Sequence, residues 1–339
     1  MSRSVDSSLD SRTYPGDHRD PMHDIRLAVA LIAFVSIATY LLTFRLLRNR
    51  SNRVIELVAA VVVLLILVYL KYVWGQLWIV RWIPLPSVIV LSNWFPILLA
   101  PLAAACWIRL GRPIDLHRNS PHQHAPATVT TFLRRVPVMG TLVFGAAYSV
   151  LFFVPQEPPT CGEDWEQPFY PMRWPVCRQT TPHTCSAAAS ATMLLTLGIQ
   201  SSEQEMATLC LTKSGTTWLG LYHGLSTKLQ RTGYQVEFFS GGLSDLQQAS
   251  AEHPVLLCCR LDHAEANQYP DYVVNGGWIP GMAHTVVYFG EYRGTHVVGD
   301  PSRGYEGWST EALQILWTGD GLRITGAPFD DQENPADGA

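Results

Sequence analysis

"QTTPHTCSAAASATMLLTLG", residues 179–198, decides how the second half of this chain is read. Residues 186–197 are rich in alanine and other helix formers and stop at Gly198, so they are predicted as a helix closed by a glycine cap. Cys185 then stands at the helix start. There the positive end of the helix dipole and unpaired backbone N–H groups favour a thiolate. A small buried thiol with no reactivity is the commoner fate of a free cysteine. The neighbours in the chain have to separate the two.

"SSEQEMATLC", residues 201–210, has Ser and Glu at helix-start positions, and residues 219–232 read as a further helix ending at Gly233. "YQVEFF", "PVLLCCRL", "HTVVYFG" and "THVVGD" read as strands between Gly, Pro and Asp punctuation. A thiolate needs a base, and the base needs an orienting group. "AHTVVYFGEYRGTHVVGDPSRG", residues 283–304, offers His284 at one strand start and Asp300 at the next strand's end. With the hairpin turn centred near Tyr292 and Arg293, His284 faces residues 300–301 and Asp300 lies beside it. Asp300-Pro301 also reads as a plain turn starter. Gln179, six residues before Cys185, is a candidate side-chain donor to an oxyanion, provided the intervening loop turns back.

Gln179-x5-Cys185, the helix after it, "GTTWLGLYHGLSTKLQRTGYQV" and the His284–Asp300 segment together resemble the bacteriocin-processing, double-glycine peptidases of the papain-like cysteine protease superfamily. The likeness runs over residues 178–324. It implies an α+β papain-like fold, with Cys185 as nucleophile, His284 as base, Asp300 as its orienter and Gln179 as oxyanion donor. Two departures stand out. Ser186 occupies the place of the family's usual glycine, and residues 261–281, "LDHAEANQYPDYVVNGGWIPG", look like an inserted flap over the cleft. Well-known members sit ahead of a peptide-exporting ATPase, whereas this sequence carries no G-x-x-x-x-G-K-[ST] loop.

The first half is a different material. Residues 27–44, 54–72, about 87–108 and 136–154 are each apolar and long enough for a membrane span. The first lies too deep and lacks the small-residue cleavage site of a signal peptide. Residues 1–155 carry fifteen Lys and Arg against seven Asp and Glu, a net of +8; residues 156–339 carry nine against twenty-one, a net of −12. Arginine-rich loops at 45–53 and 109–135 are expected to stay in the cytoplasm, which puts the Trp- and Pro-rich link 74–86 and the acidic C-terminal half outside. Arg81 within that link and four arginines up to Arg26 weigh against this orientation.

The expected organisation is a disordered polar tail (1–24), a four-span α-helical membrane region (25–155), a papain-like peptidase domain (156–326) and a second disordered tail (327–339). The expected activity is membrane-anchored peptide-bond cleavage by a thiol, with a peptide or protein as substrate and membrane lipid as surroundings. No cofactor or metal is expected, and neither nucleotide nor nucleic acid as a partner. "HRNSPHQH", residues 117–124, lacks the spaced Cys or carboxylate partners of a metal site. A non-catalytic peptide-binding or sensing domain, and a cysteine acyl transferase or amidase, are the alternatives. Cys161 and Cys177 are placed to form a disulfide; Cys106, Cys210, Cys258 and Cys259 read as packing, and His183, His223, His253, His263 and His296 as surface or structural residues.

Overall fold

A computed structural model describes residues 23–112, 127–151, 157–170 and 172–328. Both expected tails, apart from their inner ends, and the histidine-rich stretch 117–124 lie outside the described residues. The first half forms α1 (His23–Leu47), α2 (Asn52–Tyr72), the short α3 (Val88–Leu91), α4 (Phe95–Gly111) and α5 (Ala127–Leu151). Three stretches, Asp24–Leu47, Asn52–Tyr72 and Val88–Gly111, are long and apolar enough to cross a membrane. The fourth expected span, 136–154, coincides with the second half of α5, and its last three residues lie outside the described set.

The third expected span is broken. Pro96 at the start of α4 has no N–H to continue a helix from α3, so the backbone turns at Ser92–Trp94. The groups this frees are satisfied locally. Tyr69 on α2 donates its hydroxyl to Ser92 O at 2.8 Å and accepts from Trp94 N at 3.1 Å. Asn93 Nδ2 reaches Ser149 O on α5 at 3.1 Å. Irregular backbone at such a place persists only where protein supplies its partners.

At the other end of the bundle the arginines gather. Arg109 Nε donates to Glu56 Oε1 at 2.7 Å, and Arg112 donates to Asn52 Oδ1 at 2.7 Å and to Arg48 O at 3.0 Å. The link between α2 and α4 lies at the opposite end, packed into the second half of the chain. Leu77, Ile79, Val80, Val88, Ile89 and Val90 share one apolar cluster with Leu221, Leu225 and Val236. His223 Nδ1 donates to Pro86 O at 2.8 Å, and the Arg81 guanidinium lies 4.9 Å from the Phe238 ring centre.

The C-terminal half is α+β. A small ladder, β1 (Trp165–Glu166) and β2 (Val176–Cys177), precedes α6 (Cys185–Thr196), α7 (Glu203–Leu209) and α8 (Trp218–Lys228). Then come β3 (Tyr234–Ser240), α9 (Leu243–Ala249), β4 (Val255–Arg260), α10 (His263–Gln268) and α11 (Asp271–Val274). The hairpin β5 (Ala283–Tyr292) and β6 (Thr295–Asp300), β7 (Gly304–Trp308), α12 (Thr310–Leu316) and β8 (Trp317–Gly326) complete the chain. The six longer strands form one antiparallel sheet in the order β3-β8-β4-β5-β6-β7.

Strand alternation sorts two cores onto the sheet's two faces. Leu256, Cys258 and Val287 pack under α6, while Leu257, Cys259, Val286 and Tyr288 face α12. Cys258 and Cys259 are therefore both core and point opposite ways, as their adjacency in a strand requires. α6 packs closely because Ala187, Ala188, Ala189 and Ala191 present almost no bulk, and Gly198 ends it at φ +75°. α8 stops at Lys228, four residues before the expected end, because Leu229–Thr232 fold into tight turns with Arg231 at φ +68°.

Candidate active site

α6 lies on one face of the sheet, and Cys185 is its first residue. Thr184, at the cap position, makes no side-chain bond into the helix; its hydroxyl turns back to Thr181 O at 3.1 Å. The first-turn amides of α6 are thus without a side-chain cap, beside the Cys185 sulfur.

His284 is the second residue of β5 and Asp300 the last of β6. The turn between the strands is Arg293–Gly294, both at positive φ, one residue later than expected, and a bulge at Phe289 shifts the register. Continuing from the Val287–Gly299 pair, His284 stands level with residue 302, past the end of β6. Asp300 is its diagonal neighbour on the same face, close enough for long side chains to meet. They do meet: His284 Nε2 donates to Asp300 Oδ1 at 2.8 Å. Asp300 is 1% exposed, and the same oxygen accepts from Ser302 N and Ser302 Oγ, each at 2.7 Å.

With Nε2 engaged by Asp300, Nδ1 is the ring nitrogen of His284 left for Cys185, which lines the same cleft. Burial pushes the Cys185 thiol up, but the His284 hydrogen bond and charge outweigh it and hold the thiol below its usual value. Burial lowers His284, and the Asp300 charge and hydrogen bond more than reverse this, so His284 is raised. Burial likewise raises Asp300, and His284 and Ser302 together bring it below its ordinary value. The other cysteines of the domain go the opposite way. Burial raises Cys258 and Cys259 far above a usual thiol and pushes Cys210 up to about 12.

Gln179 lines the same cleft as Cys185, His284 and Asp300. Its Nε2 gives one N–H to Thr181 O at 2.9 Å and retains a second, while its Oε1 is buried without a protein partner. The four residues singled out from sequence therefore stand around one cleft. Ser186, the residue after the cysteine, does not line it. Its hydroxyl is buried against Thr285 Oγ1 at 2.8 Å, tying the residue after the cysteine to the residue after the histidine.

The flap-like segment 261–281 supplies the facing wall through Gly276, Gly277, Trp278 and Ile279. Trp278 meets the His284 ring edge-on, with centroids 5.3 Å apart. Arg303 Nη1 donates to Asn275 O at 3.0 Å and Gly276 O at 2.8 Å, so the turn that holds Asp300 also holds the flap.

Sequence reasoning missed Ser302, Thr285 and the contact of Trp278 with the imidazole. Only "DPS" after a strand hinted at the first, as a side-chain-capped turn. Cys161 and Cys177 are free thiols, against the expected disulfide. Their sulfurs turn to different carbonyls, Pro159 O and Arg178 O. His296 is buried between Tyr288 and Thr310, and His223 is held in the contact with Pro86. Among the described residues no cluster of His, Cys, Asp or Glu is arranged to hold a metal ion.

No protein-family model and no curated protein matches the chain. Among solved structures it is similar to the peptidase domain of Streptococcus ComA, a bi-functional ABC transporter involved in a quorum sensing pathway. That similarity has 20% identity, a TM-score of 0.35, and covers 44% of this chain and 96% of that one. The peptidase domain of Streptococcus mutans ComA is similar at 18% identity and TM-score 0.30, with 44% and 96% covered. A double glycine motif protease from an AMS/PCAT transporter, in complex with the leader peptide, is similar at 16% and 0.34, with 46% and 93% covered.

The paired shifts make a pH prediction. A lowered Cys185 and a raised His284 leave thiolate and imidazolium together at pH values between the two. Alkylation of Cys185 by iodoacetamide should persist well below the pH at which an ordinary thiol loses reactivity. Asp300→Asn removes the charge that raises His284, so the acid limb should move up in pH and the rate at neutral pH should fall. A profile identical to wild type would show that Asp300 does not set the charge of the pair.

Proposed function

We propose that this chain is a membrane-anchored cysteine-type peptidase of the papain-like, double-glycine kind. The observation that carries the proposal is one cleft lined by Cys185, His284, Asp300 and Gln179, with His284 hydrogen-bonded to the buried Asp300. Residues 25–155 form the membrane region and 156–326 the peptidase domain. The nucleophile is the Cys185 thiolate, which adds to the carbonyl carbon of a substrate peptide bond. The resulting oxyanion is received by the second Gln179 N–H and the Cys185 backbone N–H. His284 Nδ1–H then protonates the leaving amine as the C–N bond breaks, leaving an acyl thioester. A water gives a proton to His284 and attacks the thioester, and the released Cys185 thiolate pairs again with the imidazolium. Asp300 keeps the imidazole in the tautomer and orientation this cycle needs. Every step uses groups of this chain and water.

The domain works on the outer face of the membrane in this reading. Its support is that the arginines of 45–53 and 109–112 meet at one end of the helices, while the domain packs against the link at the other. Exported or surface peptides are then the substrate class.

Gln179→Ala should lower peptide turnover by roughly 10²–10³-fold, the scale for removing one oxyanion donor, with thermal unfolding nearly unchanged. Full activity in that variant would make Gln179 a bystander. Alkaline phosphatase fused after Ala339 should be active, since that reporter needs an oxidising compartment. An inactive phosphatase fusion together with a fluorescent green-protein fusion at the same point would move the domain to the cytoplasm.

A further inference from the structure

Glu203, the first residue of α7, is 1% exposed. A buried carboxylate is costly unless its oxygens are hydrogen-bonded. Glu203 does not cap its own helix; Ser202 does, accepting from Glu205 N at 3.1 Å. Both Glu203 oxygens go to one distant residue instead. Thr180 N donates to Oε1 at 2.9 Å and Oε2 at 3.2 Å, and the Thr180 hydroxyl donates to Oε2 at 2.8 Å. Thr180 Oγ1 in turn accepts from Gly162 N at 2.8 Å. Beside them the Cys161 thiol, pushed up to about 11 by burial and then by the Glu203 charge, remains a neutral S–H.

Thr180 N belongs to the peptide plane that follows Gln179. The plane that precedes Gln179 is held as well, because Gln179 N donates to Pro301 O at 2.7 Å, one residue beyond Asp300. The two planes flanking a residue set its φ and ψ, and φ and ψ limit which rotamers its side chain can take. One pin comes from the turn that carries Asp300, the other from Glu203.

We infer that Glu203 is a positioning residue for the oxyanion donor: by fixing the Gln179–Thr180 peptide plane it aims the Gln179 amide at the cleft. The inference rests on the role given to Gln179 in the proposed function. Glu203 does not line the cleft of Cys185, so its effect on that site passes through the Gln179–Thr180 peptide.

Two reagents on the full chain separate this role from general loss of structure. Iodoacetamide alkylates Cys185 by displacing iodide from a methylene carbon, and no oxyanion forms. p-Nitrophenyl acetate acylates it by thiolate addition to an ester carbonyl, which forms an oxyanion before p-nitrophenolate leaves. Both rates are read at Cys185 by mass spectrometry, with Cys185→Ala as the blank. Glu203→Gln should slow acylation by roughly 10- to 100-fold, the scale of a small misplacement of a catalytic group, and leave alkylation within about twofold of wild type. Thr180→Val, which removes only the hydroxyl half of the contact, should act in the same direction and less strongly. In a Gln179→Ala background Glu203→Gln should add little further loss, because the group it aims is already gone. An unchanged acylation-to-alkylation ratio in Glu203→Gln, whether both rates hold or both fall, overturns the inference and leaves the peptidase reading standing. A wild-type Cys185 inert to both reagents overturns the peptidase reading and this inference with it.

Discussion

Asp300 is the fixed point from which the cleft is built. A carboxylate taken out of water at the end of β6 must be satisfied by protein donors, and three converge on it: His284 Nε2, Ser302 N and Ser302 Oγ. The last two come from the chain immediately after it, so the turn is closed on the carboxylate before any catalytic group is considered. His284 arrives from the neighbouring strand and is held by the third bond. Cys185 arrives from the helix under the opposite face and shares the cleft with the imidazole at the start of β5. Removing the carboxylate would take away the hydrogen bond that orients the histidine and the largest of the charges that favour its imidazolium. Around this point the fold repeats the same economy of parts. Pro301 holds Gln179 N, and Arg303 holds the flap carbonyls.

The domain is mounted on the helical half by packing as well as by chain connection. The α2–α4 link buries its aliphatic side chains in the same cluster that supports α6 and α8. α6 carries Cys185 at its start, so the apolar contact reaches from the α2–α4 link to the helix that Cys185 begins. The break at Ser92–Trp94 belongs to this mounting. A continuous helix from 88 to 111 would carry Val88, Ile89 and Val90 along the direction of α4 and away from the domain core that now buries them.

Much of this was legible from sequence because the local signals were strong. The alanine run with Gly198 behind it specifies α6, and four of the six long strands carry β-branched residues between turn residues. The His284–Asp300 pairing survived an error in the turn position because the strand period is two and both residues kept one face. β7 and β8 were not legible, since "GYEGW" and "WTGDGLRITG" are interrupted by glycines that read as turns. Gly321 shows the physical reason. A Cβ there would meet the Phe239 ring and Leu256 O at about 2.4–2.6 Å, so a glycine is needed inside the strand. The kink after α3 escaped because Pro96 sits within an otherwise apolar run whose hydropathy dominates the reading. Glu203 was read only as a helix-start residue; its partner Thr180 is twenty-three positions away, and no local pattern reports such a pair.

The central claim is that Cys185 forms an acyl thioester with a peptide carbonyl. The direct measurement is to incubate the full chain in membranes with a library of unlabelled peptides, quench in acid, and locate any acyl group by mass spectrometry. The account predicts a peptidyl thioester on Cys185, cleaved library peptides in the supernatant, and neither in Cys185→Ala. Peptides left intact by a folded wild-type protein, or an acyl group found on another cysteine, would contradict it.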